Sequence, residues 1–540
     1  MDILATTHDL KYFKDFWKNV NKLNGKPRLP VSVNGVSEPR AIAEMFKDHF
    51  RVPSQPLIPG EVAETGAQRN GDTDIPLIHI TAIEVAKVIR HMTRGKSPGH
   101  DGLSIEHLKY AGAHLPDVLA LLFNLCIRHS YLPPDLIKTI VVPIVKNKTG
   151  DPSDKTNYRP ISLATITAKV LDGVLDRRLD EHITLHDAQF GFQKGLSTES
   201  AILALKHTIR YYTDRSTPVY ACFLDLSKAF DLVSYPMLWD KLDRVGVPIE
   251  LKGIFRHWYE NQDNCVRWGD ECSAEYRLEC GVRQGGLTSP RLFNLYVDGL
   301  IRELSSMHAG CSIDGVNVNN ISYADDMVLL SPSISALRRL LLVCESYALA
   351  HVLKYNCKKS EFMVFTATNN YPRVVPPVKL NGTTLSRVRQ YKYLGHIVTE
   401  DLKDDQDIER ERRALAVRSN MIARRFARAS EQVKITLFKA FCQSFYSGSL
   451  WVKYTRTAYS TLRVQYNNAF RMLMRLPWHC SASGMFAEAR VNDFYAIMRK
   501  KVASLMNRVC GSCNSILRAV GESYECPISH HWTTVLVGLG

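Results

Sequence analysis

Residues 321–330 read Ile321-Ser322-Tyr323-Ala324-Asp325-Asp326-Met327-Val328-Leu329-Leu330. Two adjacent carboxylates separate two apolar half-strands, and the pattern predicts a strand, a tight turn and a second strand. Placing charge inside an apolar run is costly unless something compensates it. Successive side chains of a strand point to opposite faces. Asp325 is therefore expected to face a shared site as a direct metal ligand, with Asp326 assisting or peripheral. Taken alone, an Asp-Asp pair more often marks an ordinary tight turn.

The next element outward is the run from Val219 to Asp225, whose apolar stretch Ala221-Cys222-Phe223-Leu224 delivers Asp225 just before Leu226-Ser227-Lys228. By itself, an acid after a strand is usually a helix cap. If this strand lies beside the 321–330 hairpin in one sheet, Asp225 and Asp325 converge at its edge. Mg²⁺ prefers carboxylate and phosphate oxygens and retains several waters. Two such ions ~3.5–4 Å apart activate a 3′-hydroxyl and stabilise a leaving pyrophosphate.

Around these strands the chain alternates between helix and strand signals. Ile140 to Val145 is a β-branched run, Thr165 to Leu179 and Met237 to Tyr259 carry helical periodicity, and Cys265 to Leu278 has hairpin spacing. Residues 291–307 and 334–349 read as helix and 362–365 as strand, and the pattern after about residue 405 is almost purely helical. The Pro- and Gly-rich stretch from Val52 to Pro76 reads as a linker. The expected organisation is a helical lead and linker (1–75), N-terminal extension helices (76–125), a mixed α/β region (126–399) and a helical C-terminal region (400–540).

The 540 residues carry a net charge of +15, with 45% hydrophobic and 23% charged residues. Such a basic excess suits a polyanionic partner, although it also suits a merely basic soluble protein. The 13 cysteines are odd in number and scattered, which argues against a secreted disulfide framework and for a reducing, intracellular compartment. No apolar run approaches the ~18–20 residues of a membrane span, so no membrane partner is expected.

The order of motifs is more specific than any one of them. Phe223-Leu224-Asp225-Leu226-Ser227-Lys228-Ala229-Phe230-Asp231 resembles motif A of reverse transcriptases, and Tyr323-Ala324-Asp325-Asp326 resembles motif C. Between them, Gly281-Val282-Arg283-Gln284-Gly285-Gly286-Leu287-Thr288-Ser289-Pro290 resembles motif B. Asn157-Tyr158-Arg159-Pro160-Ile161-Ser162-Leu163 and Gln189-Phe190-Gly191-Phe192 resemble fingers motifs. Asn356 with Lys359-Ser360-Glu361 is similar to motif D, and Tyr393-Leu394-Gly395 to the primer grip. The series spans roughly residues 96–396 and resembles the polymerase of non-LTR, LINE-type and jockey-like, retrotransposons.

That resemblance implies an α+β right-hand polymerase, with fingers and palm built on an antiparallel sheet over 126–399 and a helical thumb and C-terminal region over 400–540. It implies RNA-directed DNA synthesis from dNTPs on an RNA template and a DNA primer, with two Mg²⁺ ions (or Mn²⁺ in their place). Asp225, Asp325, Asp326 and the backbone carbonyl of Leu226 would bind metal. Lys146, Arg159, Phe230, Gln284, Gly285 and Lys359 would contact the nucleotide. Arg suits bidentate phosphate contact and Lys a point charge, and the ring of Phe230 would exclude a ribose 2′-hydroxyl. Lys146 and Lys359 equally fit solvated surface lysines, and Phe230 a plain core residue. Gly286, where many relatives have Cys or Ser, and Leu287-Thr288 depart mildly from the family pattern. The implied location is cytoplasm and nucleus, with the nucleus as the site of action.

Arg410, Arg412, Arg413, Arg418, Arg424, Arg425 and Arg428 crowd one predicted helix whose apolar stripe is Leu415, Ile422 and Phe426. This would be the thumb, gripping a duplex through phosphates by Arg418, Arg424 and Arg425, with Tyr393, Leu394 and Gly395 at the primer. A solvated face balanced by Glu409 and Glu411 is the plainer reading. Cys510, Cys513, Cys526 and His530 could close a zinc site, but ordinary semi-buried cysteines are the favoured reading. Two further functions compete with the leading one. An RNA-dependent RNA polymerase is disfavoured by Phe230 and by Ala324 before the aspartates. A decayed copy that only binds nucleic acid is disfavoured by the intact carboxylates. Members of the resembled family carry an endonuclease ahead of the polymerase, and nothing in residues 1–75 resembles one, so polymerisation without target nicking is expected.

Overall fold

The computed structural model describes residues 2–23, 29–53, 78–367, 374–523 and 527–537. Most of the expected linker lies outside them. The central sheet has five strands in the spatial order Ser386–Arg387, Glu361–Phe365, Val219–Leu224, Asp326–Ser331 and Asn320–Tyr323. Val219–Leu224 is buried along its whole length, which its continuous apolar sequence requires of a strand covered on both faces. Its neighbours on either side are antiparallel: Phe223 pairs with Val328 on one edge and with Glu361 on the other. Helices Thr198–Thr213, Ser289–Ser306 and Ile334–Ala350 pack against the sheet. This is the palm.

A second sheet orders Tyr158–Ala164, Thr139–Val145 and Asp263–Trp268. The first pair is antiparallel and the second parallel. Helix Pro39–Phe50 lays Ile42, Ala43, Phe46 and Phe50 on Val141, Tyr158, Val266 and Trp268 of this sheet. This is the fingers. The span 237–259 is two helices, Tyr235–Arg244 and Ile249–Asn261, where the sequence predicts one. Gly246, with φ +73°, stops the first and Pro248 fixes the entry to the second, as their backbone preferences dictate.

The thumb packs Asp405–Arg425 against Glu431–Cys442 and Arg456–Met474 through Leu415, Ile422, Phe426, Phe438, Tyr466 and Phe470. Phe16 and Val20, from the helix Phe13–Leu23, are buried in the same core. The N-terminal helices are thus divided between thumb and fingers. A buried polar cluster joins thumb to palm. Lys206 of the Thr198–Thr213 helix pairs with Asp404, whose other oxygen accepts from the backbone N–H groups of Val452 and Lys453. These donors supply the compensation that a buried ion pair needs. The whole is the α+β right-hand arrangement that the motif order implies. Among the described residues, no helix is long and apolar enough to cross a membrane.

Candidate active site

Strands Asn320–Tyr323 and Asp326–Ser331 form the predicted hairpin, with Tyr323 paired to Asp326. Ala324 and Asp325 are its turn, and Ala324 takes a positive φ of +57°, a conformation that costs a non-glycine residue of order 1–3 kcal/mol. The surrounding chain holds it there. Gln189 Oε1 accepts from both the Ala324 and Gly191 N–H groups, each at 2.9 Å. Ser322 N–H donates to the Ala188 carbonyl and Phe190 N–H to the Ser322 carbonyl, so Gln189 joins the edge of the hairpin through a single parallel bridge to Ser322. Gln189, part of a recognised motif but not assigned a role from sequence, is the clamp of this turn.

Asp225 leaves the end of Val219–Leu224. Its N–H donates to Ser360 Oγ at 3.1 Å, its carbonyl accepts from Asn356 N–H, and Ser227 N–H donates to the Lys354 carbonyl. Leu226 therefore bridges Tyr355 in the non-hydrogen-bonded position, and its own N–H and C=O point away from that segment. Continuing the register of Met327 with Leu224 brings Asp326 across from Asp225 and Asp325 across from Leu226. The three carboxylates and the Leu226 carbonyl are thus gathered at one end of the palm sheet. The ranking of Asp325 over Asp326 is not visible in this register, because Asp325 occupies the turn itself.

The electrostatics match that proximity. Burial and the charge of Asp225 raise the pKa of Asp325. Asp326 is pushed up to about 6 by burial and by the charges of Asp325 and Asp225, with Arg159 opposing. Like charges held together in a desolvated place resist ionisation, and a cation relieves the strain. Among the described residues, no group of three or more His, Cys, Asp or Glu side chains is arranged to hold a metal ion. An open pair of carboxylates with a carbonyl still suits Mg²⁺, which takes one or two carboxylates and completes its shell with water and substrate phosphates.

Facing the acids is a cationic group. The pKa of Lys146 is lowered by partial burial, then by the neighbouring charges of Arg159 and Lys359, while Asp231 raises it and Lys228 lowers it further. Lys146, Arg159 and Lys359 therefore share one region. Lys228, not foreseen as a site residue, stands with them, and its Nζ reaches the His49 carbonyl at 3.3 Å. Phe230 stacks on Phe293 at 4.5 Å and 15°, so its ring is backed from one side. Gln284 donates to Asp231 at 2.9 Å, and its carbonyl accepts from Ser162 N–H. Gly285, at φ +114°, passes close over the Ser162 carbonyl. Asp231 is held above the usual carboxylate range by burial, against the pull of Gln284, Lys228 and Lys146. The buried Asp172 accepts from Leu287 N–H and Thr288 Oγ1, both at 2.7 Å, and so anchors the loop that bears Gln284 and Gly285. No local sequence signal marks Asp172.

Tyr393 ends strand Gln390–Tyr393, and Leu394 and Gly395 form the turn to strand His396–Thr399. Tyr393 packs 5.7 Å from Phe223 and Tyr391 stacks on the same ring at 4.1 Å. The Tyr446 hydroxyl donates to the Leu394 carbonyl and accepts from the Thr198 hydroxyl, which ties this turn to thumb and palm together. On the thumb, Arg418 is engaged by the buried Glu411, and Arg412 and Arg413 share Glu409. Arg424 and Arg425 are exposed in the last turn of their helix. Cys510 and Cys513 are exposed thiols, while Cys526 lies outside the described residues.

Residues 145–398 match the family described as reverse transcriptase (RNA-dependent DNA polymerase). The chain is 24% identical over 515 residues to an RNA-directed DNA polymerase from mobile element jockey of Drosophila funebris, covering 90% of this chain and 54% of that protein. It is 26% identical over 428 residues to a probable RNA-directed DNA polymerase from transposon BS of Drosophila melanogaster, covering 75% of this chain and 46% of the other. The chain thus spans about half the length of these curated relatives. A telomerase structure from Candida tropicalis, in complex with a telomeric RNA fragment, covers 78% of this chain and 64% of its own at 10% identity and a TM-score of 0.38.

Proposed function

Because the chain carries a reverse transcriptase domain of the non-LTR retrotransposon type, we propose that it copies an RNA template into DNA, extending a DNA primer with dNTPs in the nucleus. The observation that carries this reading is the cluster of Asp225, Asp325 and Asp326, where burial and then mutual charge raise Asp325 and Asp326, opposite the cationic group of Lys146, Arg159 and Lys359. One side favours divalent cations and the other a triphosphate.

In this reading Asp225, Asp325 and the Leu226 carbonyl hold two Mg²⁺ ions, or Mn²⁺, with Asp326 as the adjoining carboxylate. Divalent ions bound there would supply Lewis acidity that lowers the pKa of a primer 3′-hydroxyl and neutralises charge on the phosphates. Lys146, Arg159 and Lys359 orient the triphosphate for in-line attack, and holding both reactants in register is itself a large part of the rate. Phe230, braced by Phe293, occupies the space a ribose 2′-hydroxyl needs, which selects dNTPs over rNTPs. Tyr393, Leu394 and Gly395 hold the primer terminus, and Arg424 and Arg425 meet the duplex backbone.

Purified chain is expected to extend a DNA primer on an RNA template with Mg²⁺, and Asp325→Asn and Asp225→Asn to lose this by more than ~10³-fold, the scale of removing charge stabilisation at a reacting phosphate. A folded, unmutated chain that fails to extend in Mg²⁺ or Mn²⁺ overturns the reading. Equal use of rNTPs would point to an RNA polymerase.

A further inference from the structure

We propose that the C-terminal helices are part of the polymerase site, because they clamp the segment 187–199 that sets the catalytic turn; Asp187 and Asn514 are then positioning residues for Asp325. The inference rests on the polymerase reading above, but it concerns a contact that the reading does not need.

The clamp has two ends. At the first, Asn514 Nδ2 donates to the Asp187 carbonyl at 2.7 Å, and Ser515 N–H donates to Asp187 Oδ2 at 2.9 Å. Asp187 thus sits at the N-terminus of helix Ser515–Glu522, where the exposed N–H groups and the helix dipole favour a carboxylate. At the second, Arg508 of helix Phe494–Cys510 donates to Ser197 Oγ at 2.9 Å and to Glu199 at 2.6 Å. Between the ends lie Gln189, Phe190 and Gly191, every one of which touches the hairpin. Gln189 bonds the Ala324 N–H, Phe190 N–H bonds the Ser322 carbonyl, and Gly191 approaches Ala324 too closely for a side chain.

The geometry forms one chain of directional contacts from residue 514 to residue 325. Ala324 sits at a positive φ that alanine does not choose, so its conformation depends on what grips it. Gln189 supplies the grip, and Gln189 is only as fixed as its backbone. That backbone is pinned on its far side by Asp187, two residues away, and by His186, whose N–H donates to Asp298 at 2.8 Å. If the C-terminal anchor is released, the Ala324 hydrogen bond loosens and Asp325 loses its register with Leu226 and Asp225. A cleft of about 440 Å³ lined by Asp187, Gln189, Lys194, Arg508 and Asn514 opens beside these contacts, while Val509, Ile516, Leu517 and Val520 pack into the palm core, so apolar packing seats the C-terminal helices and the polar bonds fix the position of the segment 187–199 against them.

The test uses the full chain with Asp187→Ala, Asn514→Ala and the conservative Asp187→Asn, which keeps an oxygen acceptor for the Ser515 N–H. Two readouts are taken. Hydrogen–deuterium exchange of the peptide containing Ala324 reports the clamp whether or not the protein polymerises. Single-turnover primer extension reports its consequence. Expected are faster exchange at Ala324 and an extension rate lowered by about 10- to 100-fold in both alanine variants, the range that small displacements of reacting groups produce. The apparent KM for dNTP should change far less, and Asp187→Asn should recover most of the rate. Unchanged exchange at Ala324 in both folded alanine variants overturns the proposal. So does a rate loss that merely follows a fall in melting temperature, without rescue by Asp187→Asn. Absence of extension by the unmutated chain would instead overturn the polymerase reading and leave the exchange result standing.

Discussion

Gly191 stands so near Ala324 that a Cβ on residue 191 would lie 2.3 Å from the Ala324 nitrogen. The clash is with backbone, which cannot rotate aside. Gly191→Ala is therefore expected to push the catalytic turn away from Asp225. Overpacking of this kind costs about 1–3 kcal/mol, and the displaced aspartate should slow primer extension by roughly 100-fold. Melting temperature and single-turnover rate, measured together, separate the two effects; a full-rate Gly191→Ala enzyme would contradict the geometry.

Phe230 rests on Phe293 with ring centroids 4.5 Å apart. Phe230→Ala should open the space beside the sugar and reduce discrimination against rNTPs by roughly 10–100-fold, the scale of removing a steric wall. Phe293→Ala leaves the ring in place but unbraced, and a smaller loss is expected. Competition between dNTP and rNTP on one template measures both.

Burial of Asp326, reinforced by the neighbouring carboxylates, gives a pH dependence whose sign is fixed. Asp326 has a folded pKa of about 6 against an ordinary value of 3.8. Between these values the native state holds more protons than the unfolded chain, so stability of the metal-free protein falls as pH rises from about 4 to about 6 and levels off above. Asp326→Asn removes the charge. It should flatten that slope and stabilise the metal-free protein at pH 8 by about 1–2 kcal/mol, after allowance for the partial exposure of the group. Denaturant midpoints at pH 4, 6 and 8 test it, and a variant less stable than the parent at pH 8 would refute it.

The arginines of the thumb helix should divide in their salt response. Arg412 is held by Glu409 through both Nε and Nη2, whereas Arg424 is exposed at the helix end, beside Arg425. Replacing Arg424 and Arg425 with Ala should weaken binding to a template–primer duplex and lower the salt slope by about 1 for each phosphate no longer neutralised. Arg412→Ala should leave the slope unchanged. Equal slopes in all three proteins would remove this helix end from the interface.

The hairpin of 321–330 was readable because alternation and tight-turn chemistry are local properties. The strand ending at Asp225 was readable for the same reason, and the spacing of Glu409 from Arg412 and Arg413 already implied their pairing on one helix face. The parallel pairing of Thr139–Val145 with Asp263–Trp268 was not readable, since nothing in either strand names a partner so distant in the chain. Nor were Asp172 and Gln189. A buried acid or amide looks like any other until the backbone N–H groups it must satisfy are brought to it.

The residue sequence by itself determined the chemistry: which side chains carry negative charge, which carry positive, and that the acidic ones end strands. Charge type and strand period belong to short stretches, so no partner is needed to read them. The tertiary structure alone decided how the turn bearing Asp325 is held. Its positive φ at Ala324 is sustained by Gln189 and Gly191, and their position is set by Asp187 against the C-terminal helix. Those bonds join residues far apart in the chain, and only folding brings their donors and acceptors within reach of one another.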